Sequence, residues 1–430
     1  MQNPFNRCDR TASGARMLRR TGLSSFLFST LFLSSLASAR AADAPSFGAL
    51  LQQARVNAPL LLEQAANVRA AGAELRQTGA WLNPTFNAVA ENIGVSQDGA
   101  SQRENTYSVT QAFEIGGKRA ARIDAGRRRA TAASALERQT QVSFAADLAI
   151  AYATAEAMQQ RQEVAQAELT RGTDDLRAAE ALVKAGREAN LRLAQARAAA
   201  AAAEAAVLSA TAESTGALAH LGALTGAPEP YMRIVHPLLQ NARTRQPAVQ
   251  WDPNDTPALA TATAERDVLD AQVRVEQKRL LPDIGVTLGM RTFGWTDQKA
   301  ATIGVSLTIP LFDRNKDGID AARERAGSAA MRLESARLNA VAAHRSAVAQ
   351  VGASERRLQA AEQGEAAALD AYRLGRIGYD AGKTALLELL AIRRQLAEAT
   401  ERTIAARLDR VRAIAIFSLA EGRIAFGEAP

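Results

Sequence analysis

Cysteine is nearly missing from this chain: Cys8 is the one example among 430 residues. It precedes an apolar run and follows nothing like a lipobox, so neither a disulfide framework nor a lipidated cysteine is expected. Proline is absent between Pro84 and Pro228 and again between Pro310 and Pro430. Proline removes a helical hydrogen bond and clashes with the preceding turn, so these gaps permit very long helices. Histidine is scarce as well, and His220, His236 and His344 lie too scattered for metal-ligand spacing. No basic stripe with interleaved aromatics occurs, which argues against nucleic acid as a partner. No nucleophile–base pair or paired carboxylates stand out, so neither an enzyme nor a cofactor is expected. Gly116-Gly117-Lys118 lacks the first glycine of a P-loop and the following Ser or Thr.

The N-terminus carries Arg16, Arg19 and Arg20, then the apolar run Leu23 to Leu36, then small residues with A-x-A patterns at Ala37–Ala39 and Ala39–Ala41. That is the layout of a secretory leader over residues 1–41, with an apolar run too short and serine-rich for a comfortable membrane span. The leader also explains most of the basic balance. It holds six arginines and one aspartate, so the formal charge of +7 falls to +2 beyond it. After the leader no segment has about 18 consecutive apolar residues, and no transmembrane helix is expected.

What the chain does have is a duplication at an offset of about 198 residues. Asn57-Ala58-Pro59 returns as Asp255-Thr256-Pro257, Leu82-Asn83-Pro84 as Leu280-Leu281-Pro282, and Lys118 as Lys316. Ala185-Gly186-Arg187 returns as Ala381-Gly382-Lys383. Each copy reads helix, two strands, very long helix, turn, returning helix. The expected units are residues 42–226 and 255–424, joined by a proline-rich linker at 227–254 and followed by a tail at 425–430. The first rod is expected from Lys118 to about Val183 and the second from about Ile319 to Leu374. Both segments are rich in Ala, Arg, Gln, Glu and Leu, good helix formers that at about 1.5 Å per residue make the first rod on the order of 100 Å long. Turns at Gly186 and at Gly378 and Gly382 lead into returning helices from Glu188 to about Leu224 and from Thr384 to about Leu419. In the last of these Leu389, Ile392, Leu396, Ile404, Leu408 and Val411 form one stripe suited to coiled-coil packing.

The strand pair of the second copy alternates cleanly. Ile303, Val305, Leu307 and Ile309 share one face, and Thr302, Gly304, Ser306 and Thr308 the other. Its partner, Pro282 to Phe293, puts Ile284, Val286, Leu288 and Met290 opposite Asp283, Gly285, Thr287 and Gly289. The first copy, Thr85 to Ile93 and Thr106 to Phe113 around the connection Gly94 to Asn105, alternates only in part. Two readings fit: a half-buried sheet packed on its own helices, or an outer-membrane barrel wall. The leader, the missing cysteines and the rods favour the wall. Four strands cannot close a barrel, so that reading requires several chains.

The helix–hairpin–helix duplication, Leu281-Pro282 opening a strand, Ile309-Pro310-Leu311-Phe312 closing one, and the Gly186 and Gly382 turns resemble the TolC-like outer-membrane factors over nearly all of the chain after the leader. Glu114-Ile115-Gly116-Gly117-Lys118-Arg119 and Pro310-Leu311-Phe312-Asp313-Arg314-Asn315 look more narrowly like the cobalt–zinc–cadmium and cobalt–nickel branch. The resemblance implies a mainly α fold with a small β part: α-helical hairpins forming a periplasmic tunnel and four strands per chain in a homotrimeric, twelve-stranded barrel in outer-membrane lipid. The implied function is exit duct of a tripartite efflux pump, fed by an inner-membrane RND pump through a periplasmic adaptor. Divalent heavy-metal cations are the expected cargo and organic drugs the alternative; a soluble periplasmic coiled-coil adaptor is a further reading. By the same resemblance Gly186, Arg187, Gly382 and Lys383 are adaptor-contacting tips and Glu388 faces the pore near its inner aperture, although Ala391 stands where the family often has a second acid. Thr302, Ser306 and Thr308 are expected to line the barrel lumen. Asp313, Asn315, Asp317 and Glu324 formally match a calcium-loop string. An EF-hand needs an entering helix, however, and a strand ending Ile309-Pro310 enters here, so a strand-to-helix junction is the better reading.

Overall fold

The computed structural model of the chain describes residues 43–240, 251–296 and 298–426. The leader, part of the inter-repeat linker and most of the C-terminal tail lie outside the described residues. The element order is α1 (Phe47–Asn57), α2 (Pro59–Thr78), β1 (Thr85–Glu91), β2 (Ser96–Gln97), β3 (Ala100–Ser101), β4 (Glu104–Glu114), α3 (Lys118–Lys184) and α4 (Asn190–Thr225), then α5 (Pro257–Lys278), β5 (Asp283–Phe293), β6 (Lys299–Leu307), α6 (Lys316–Asp380) and α7 (Leu386–Ala420). Helix, strand pair, rod and returning helix therefore occur twice.

Two boundaries differ from expectation for physical reasons. The opening helix of the first copy is two helices, because Pro59 cannot continue α1; it starts α2 at a position where its missing N–H costs nothing. Rod α6 runs through Gly378 to Asp380, so that glycine is helical and Gly382, at φ 71°, makes the reversal. Gly378 has a different task. A Cβ there would sit 2.3 Å from Thr384 Oγ1, which folds back over the helix end.

Both rods end alike. Arg187 N–H donates to Leu182 O at 3.0 Å and Gly186 N–H to Val183 O at 3.0 Å, with Gly186 at φ 69°. In the second copy Lys383 N–H donates to Gly378 O at 2.8 Å and Gly382 N–H to Tyr379 O at 2.9 Å. These are Schellman closures, in which a left-handed glycine satisfies the last helical carbonyls.

The largest apolar cluster gathers around the middle of α3. Phe144, Leu148 and Tyr152 are fully buried there, against Leu50 and Ala54 of α1, Leu218 and Leu221 of α4, Leu239 of the linker, and Leu408 and Val411 of α7. Tyr152 lies 34 residues beyond Lys118, about 50 Å along the helix. Its hydroxyl donates to His236 O at 2.8 Å and also lies 3.1 Å from Pro45 O. One turn on, Glu156 is 4% exposed and accepts from Leu238 N–H at 2.7 Å and Leu239 N–H at 3.0 Å. Burial pushes its carboxyl above the ordinary value, against the lowering effect of those two N–H groups. The linker is thus pinned to the rod by a tyrosine and a glutamate.

Candidate functional site

Strands β1, β4, β5 and β6 form one antiparallel sheet in that order. The registers Val109↔Leu288 and Leu288↔Ile303 place three apolar side chains in a row, and Thr110↔Thr287 and Thr287↔Gly304 place small polar residues on the other face. The two threonine hydroxyls are 2.8 Å apart. The apolar face is the more open along β6, where Ile303 is 77% and Val305 73% exposed; on the other face Thr302, Gly304 and Thr110 are half-buried and Ser306 is exposed. A sheet seated on its own helices shows the reverse, and none of the principal element contacts joins a helix to this sheet. The half-buried reading therefore fails, because the apolar face has no protein to cover it. Trp81 and Phe113 stack edge to face at the helical end of that face, and Phe312 lies fully exposed beyond β6. Aromatic residues at the margin of an apolar band are an interfacial pattern. Both outer strands, β1 and β6, have one edge without a partner among the described residues. Thr302 and Ser306 lie on the polar face; Thr308 falls just past β6, in the extended run to Pro310.

Where strand becomes rod, the two copies share a backbone device. Gly117 at φ 82° and Asn315 at φ 49° precede Lys118 and Lys316, each turning the chain through the left-handed region into the helix. In the first copy Arg122 Nε donates to Thr78 O at 2.9 Å and its Nη2 to Ala80 O at 3.0 Å, while Arg119 Nε donates to Gly79 O at 3.0 Å. Two arginines thus hold the last carbonyl of α2 and the two that follow it, the end of the dipole that favours cations. In the second copy the cap is an amide: Asn315 Nδ2 donates to Glu276 O and Oε2, both at 3.0 Å.

The same junction contains the calcium-loop string. Asp313 Oδ1 accepts from Asn315 N–H at 2.8 Å, and Asn315 is turned to Glu276. Asp317 lies in the first turn of α6 and Glu324 further along the same helix. The four side chains do not converge, and among the described residues no group of His, Cys, Asp or Glu is placed to hold a metal ion. The segment is a strand-to-helix junction.

At the far ends of the rods Gly186, Arg187, Gly382 and Lys383 are all exposed. Glu388 is exposed in the first turn of α7, between exposed Leu387 and buried Leu389. Sequence reasoning missed Arg393, one turn deeper and 15% exposed in its side chain. It bridges to Asp175 at 2.6 Å and Glu168 at 3.3 Å on α3, tying one hairpin to the other. Leu182, Tyr379, Leu389 and Arg393 line a cavity of about 270 Å³ between the hairpins.

A lipid-facing sheet carried on hairpins of this length defines an outer-membrane efflux channel, not an enzyme. The chain belongs to the outer membrane efflux protein family, which it matches over residues 50–227 and 254–420. It is 52% identical over 402 residues to the nickel-cobalt-cadmium resistance protein NccC of Alcaligenes xylosoxydans xylosoxydans, covering 93% of this chain and 91% of that one. It is also 52% identical over 407 residues to the nickel and cobalt resistance protein CnrC of Cupriavidus metallidurans, covering 94% and 96%. Among solved structures, the open-state MtrE outer membrane channel of Neisseria gonorrhoeae shares the fold, with a TM-score of 0.75 at 20% identity over 88% of this chain and 89% of that one. The soluble-adaptor reading is excluded by this membership, and the chain resides in the outer membrane with its helices in the periplasm.

Proposed function

We propose that three copies of this chain close one twelve-stranded barrel and form the exit duct of a heavy-metal efflux pump, working with a periplasmic adaptor and an inner-membrane RND pump. The observation that carries the assembly is the sheet: four strands, an exposed apolar face and two edges unpaired among the described residues. Lipid-exposed edges leave backbone groups unsatisfied, so the edge of β6 must meet β1 of a neighbour. What supports divalent cations as cargo, and organic drugs as the second reading, is the naming of both 52% identical relatives for nickel and cobalt resistance.

In this reading Thr302 and Ser306 line the lumen, with Thr308 just below them. The exposed turns Gly186-Arg187 and Gly382-Lys383 meet the adaptor. Glu388 repeats as a ring near the inner aperture, where acids favour cations. Arg393 holds the hairpins together until the adaptor engages. Deleting the gene should lower tolerance to nickel, cobalt, zinc or cadmium, and the tip variant Gly382→Val should reproduce that loss while the protein still reaches the outer membrane. Unaltered metal tolerance with new drug sensitivity would transfer the assignment to drugs. A purified protein with a native mass other than three chains would overturn the closed barrel.

A further inference from the structure

The polar face of the sheet carries acids at both ends, and the two ends are balanced differently. At the helical end Glu114 and Asp283 stand directly opposite each other in register. Each has its own cation: Arg122 lies 2.9 Å from Glu114 and Lys118 2.8 Å from Asp283. At the far end Glu91 and Glu104 are likewise register partners, and they share one cation. Arg291 Nη1 lies 2.8 Å from Glu104 Oε2, its Nη2 3.5 Å from Glu91 Oε2, and its Nε donates to Thr106 Oγ1 at 3.2 Å. Glu104 takes the short contact and is 16% exposed in its side chain; Glu91 is 49% exposed.

Like charges directly opposite on neighbouring strands are destabilising, and one neutral residue in place of either glutamate would remove the repulsion. Arg291 offsets that repulsion, and the three side chains together leave one negative charge per chain on the polar face at the end remote from the helices. We propose that Glu91, Glu104 and Arg291 form the charge filter at the outer mouth of the pore, with Arg291 setting how strongly the exit favours cations. The proposal rests on the closed-barrel reading. Three copies then place a ring of three uncompensated charges around one mouth, where low-dielectric walls focus their field. A filter of this kind lets a departing cation leave without binding it, since the two carboxylates are already held by the guanidinium.

The test is reversal potential in a potassium chloride gradient across planar bilayers, with the purified full-length channel and its variants. Arg291→Gln should raise the cation-to-anion permeability ratio by roughly twofold or more, and the pair Glu91→Gln with Glu104→Gln should lower it by at least as much. Arg291→Lys keeps the charge without the fork and should leave the ratio near wild type even if heat resistance of the assembled channel falls, which separates the electrical role from a structural one. Hexaamminecobalt(III) added on the barrel side should block wild type more strongly than the double glutamine variant. Wild-type conductance with potentials and block unmoved by these variants overturns the proposal alone. If the resting channel does not conduct, the same series is read in an Arg393→Ala background, and a native mass other than three chains overturns the closed barrel and the proposal with it.

Discussion

The middle of α3 and the four-stranded sheet use the same apolar residue types in opposite directions. Around Leu148 and Tyr152 they turn inward and disappear from solvent, whereas on β6 Ile303 and Val305 are turned outward and left bare. The polar groups invert in step: Glu156 is buried and hydrogen-bonded by the linker backbone and by Gln160, and Thr110, Thr287 and Thr302 sit half-covered on the sheet's other face. Burial follows the solvent each region meets. Water drives the first cluster together, and hydrocarbon replaces the missing protein over the second.

Four substitutions test that contrast, the strongest first. Phe144→Ala in the periplasmic cluster should cost about 3–5 kcal/mol and lower the urea midpoint of the folded protein in detergent and bilayer alike. Val305→Arg should cost about 2–4 kcal/mol in bilayers, read as loss of assembled channel, and little in the urea midpoint of the periplasmic helices of the same full-length chain. An equal loss from Val305→Arg in both settings would show that the sheet face packs on protein. Asn315→Ala should cost about 1–2 kcal/mol, since it loses the amide cap on α5 and places a Cβ residue without local hydrogen bonding in the left-handed region. The smallest effect concerns pH. Glu156 has a folded pKa raised above its ordinary value of 4.5, chiefly by burial. The folded state therefore binds this proton more tightly than the unfolded chain does, and the stability so gained is lost as pH rises through the folded pKa. Glu156→Gln keeps an oxygen for the Leu238 and Leu239 N–H groups and should flatten the fall in urea midpoint as pH rises above the ordinary carboxylate value. A variant whose midpoint still falls like wild type would place that dependence elsewhere.

The rods and the second strand pair were legible because their signals are local. The proline gaps match α3 and α6, and the alternation through Ile303 and Val305 matches β6. The first pair was blurred for reasons visible only in space. Gln111 falls on the apolar face, yet its Nε2 donates to Leu82 O and Ala112 O, both at 2.9 Å, so its polarity is absorbed by backbone. Val89 falls on the polar face, breaking the pattern from the other side. The β2–β3 hairpin was announced by Asp98-Gly99, both in the left-handed region at φ 51° and 78°, a pair that fits a tight two-residue turn; read only as a connection, it was missed. Glu156 and Arg393 could not be read from sequence. Their partners lie 82 and 218 residues away, and nothing in the local pattern marks the pairing.

The two rods contain 67 and 65 residues, and their ends share the cavity between the hairpins. Length here works as a gauge. One residue inserted in α3 alone would push its tip about 1.5 Å past its neighbour and rotate every later side chain by about 100°, carrying Asp175 away from Arg393. Seven residues added to all four hairpin limbs would instead return each face nearly to its place and extend the duct by about 10 Å. The chain therefore tolerates exchange of residues far more readily than change of count, and any alteration of reach must come in matched, whole-heptad steps.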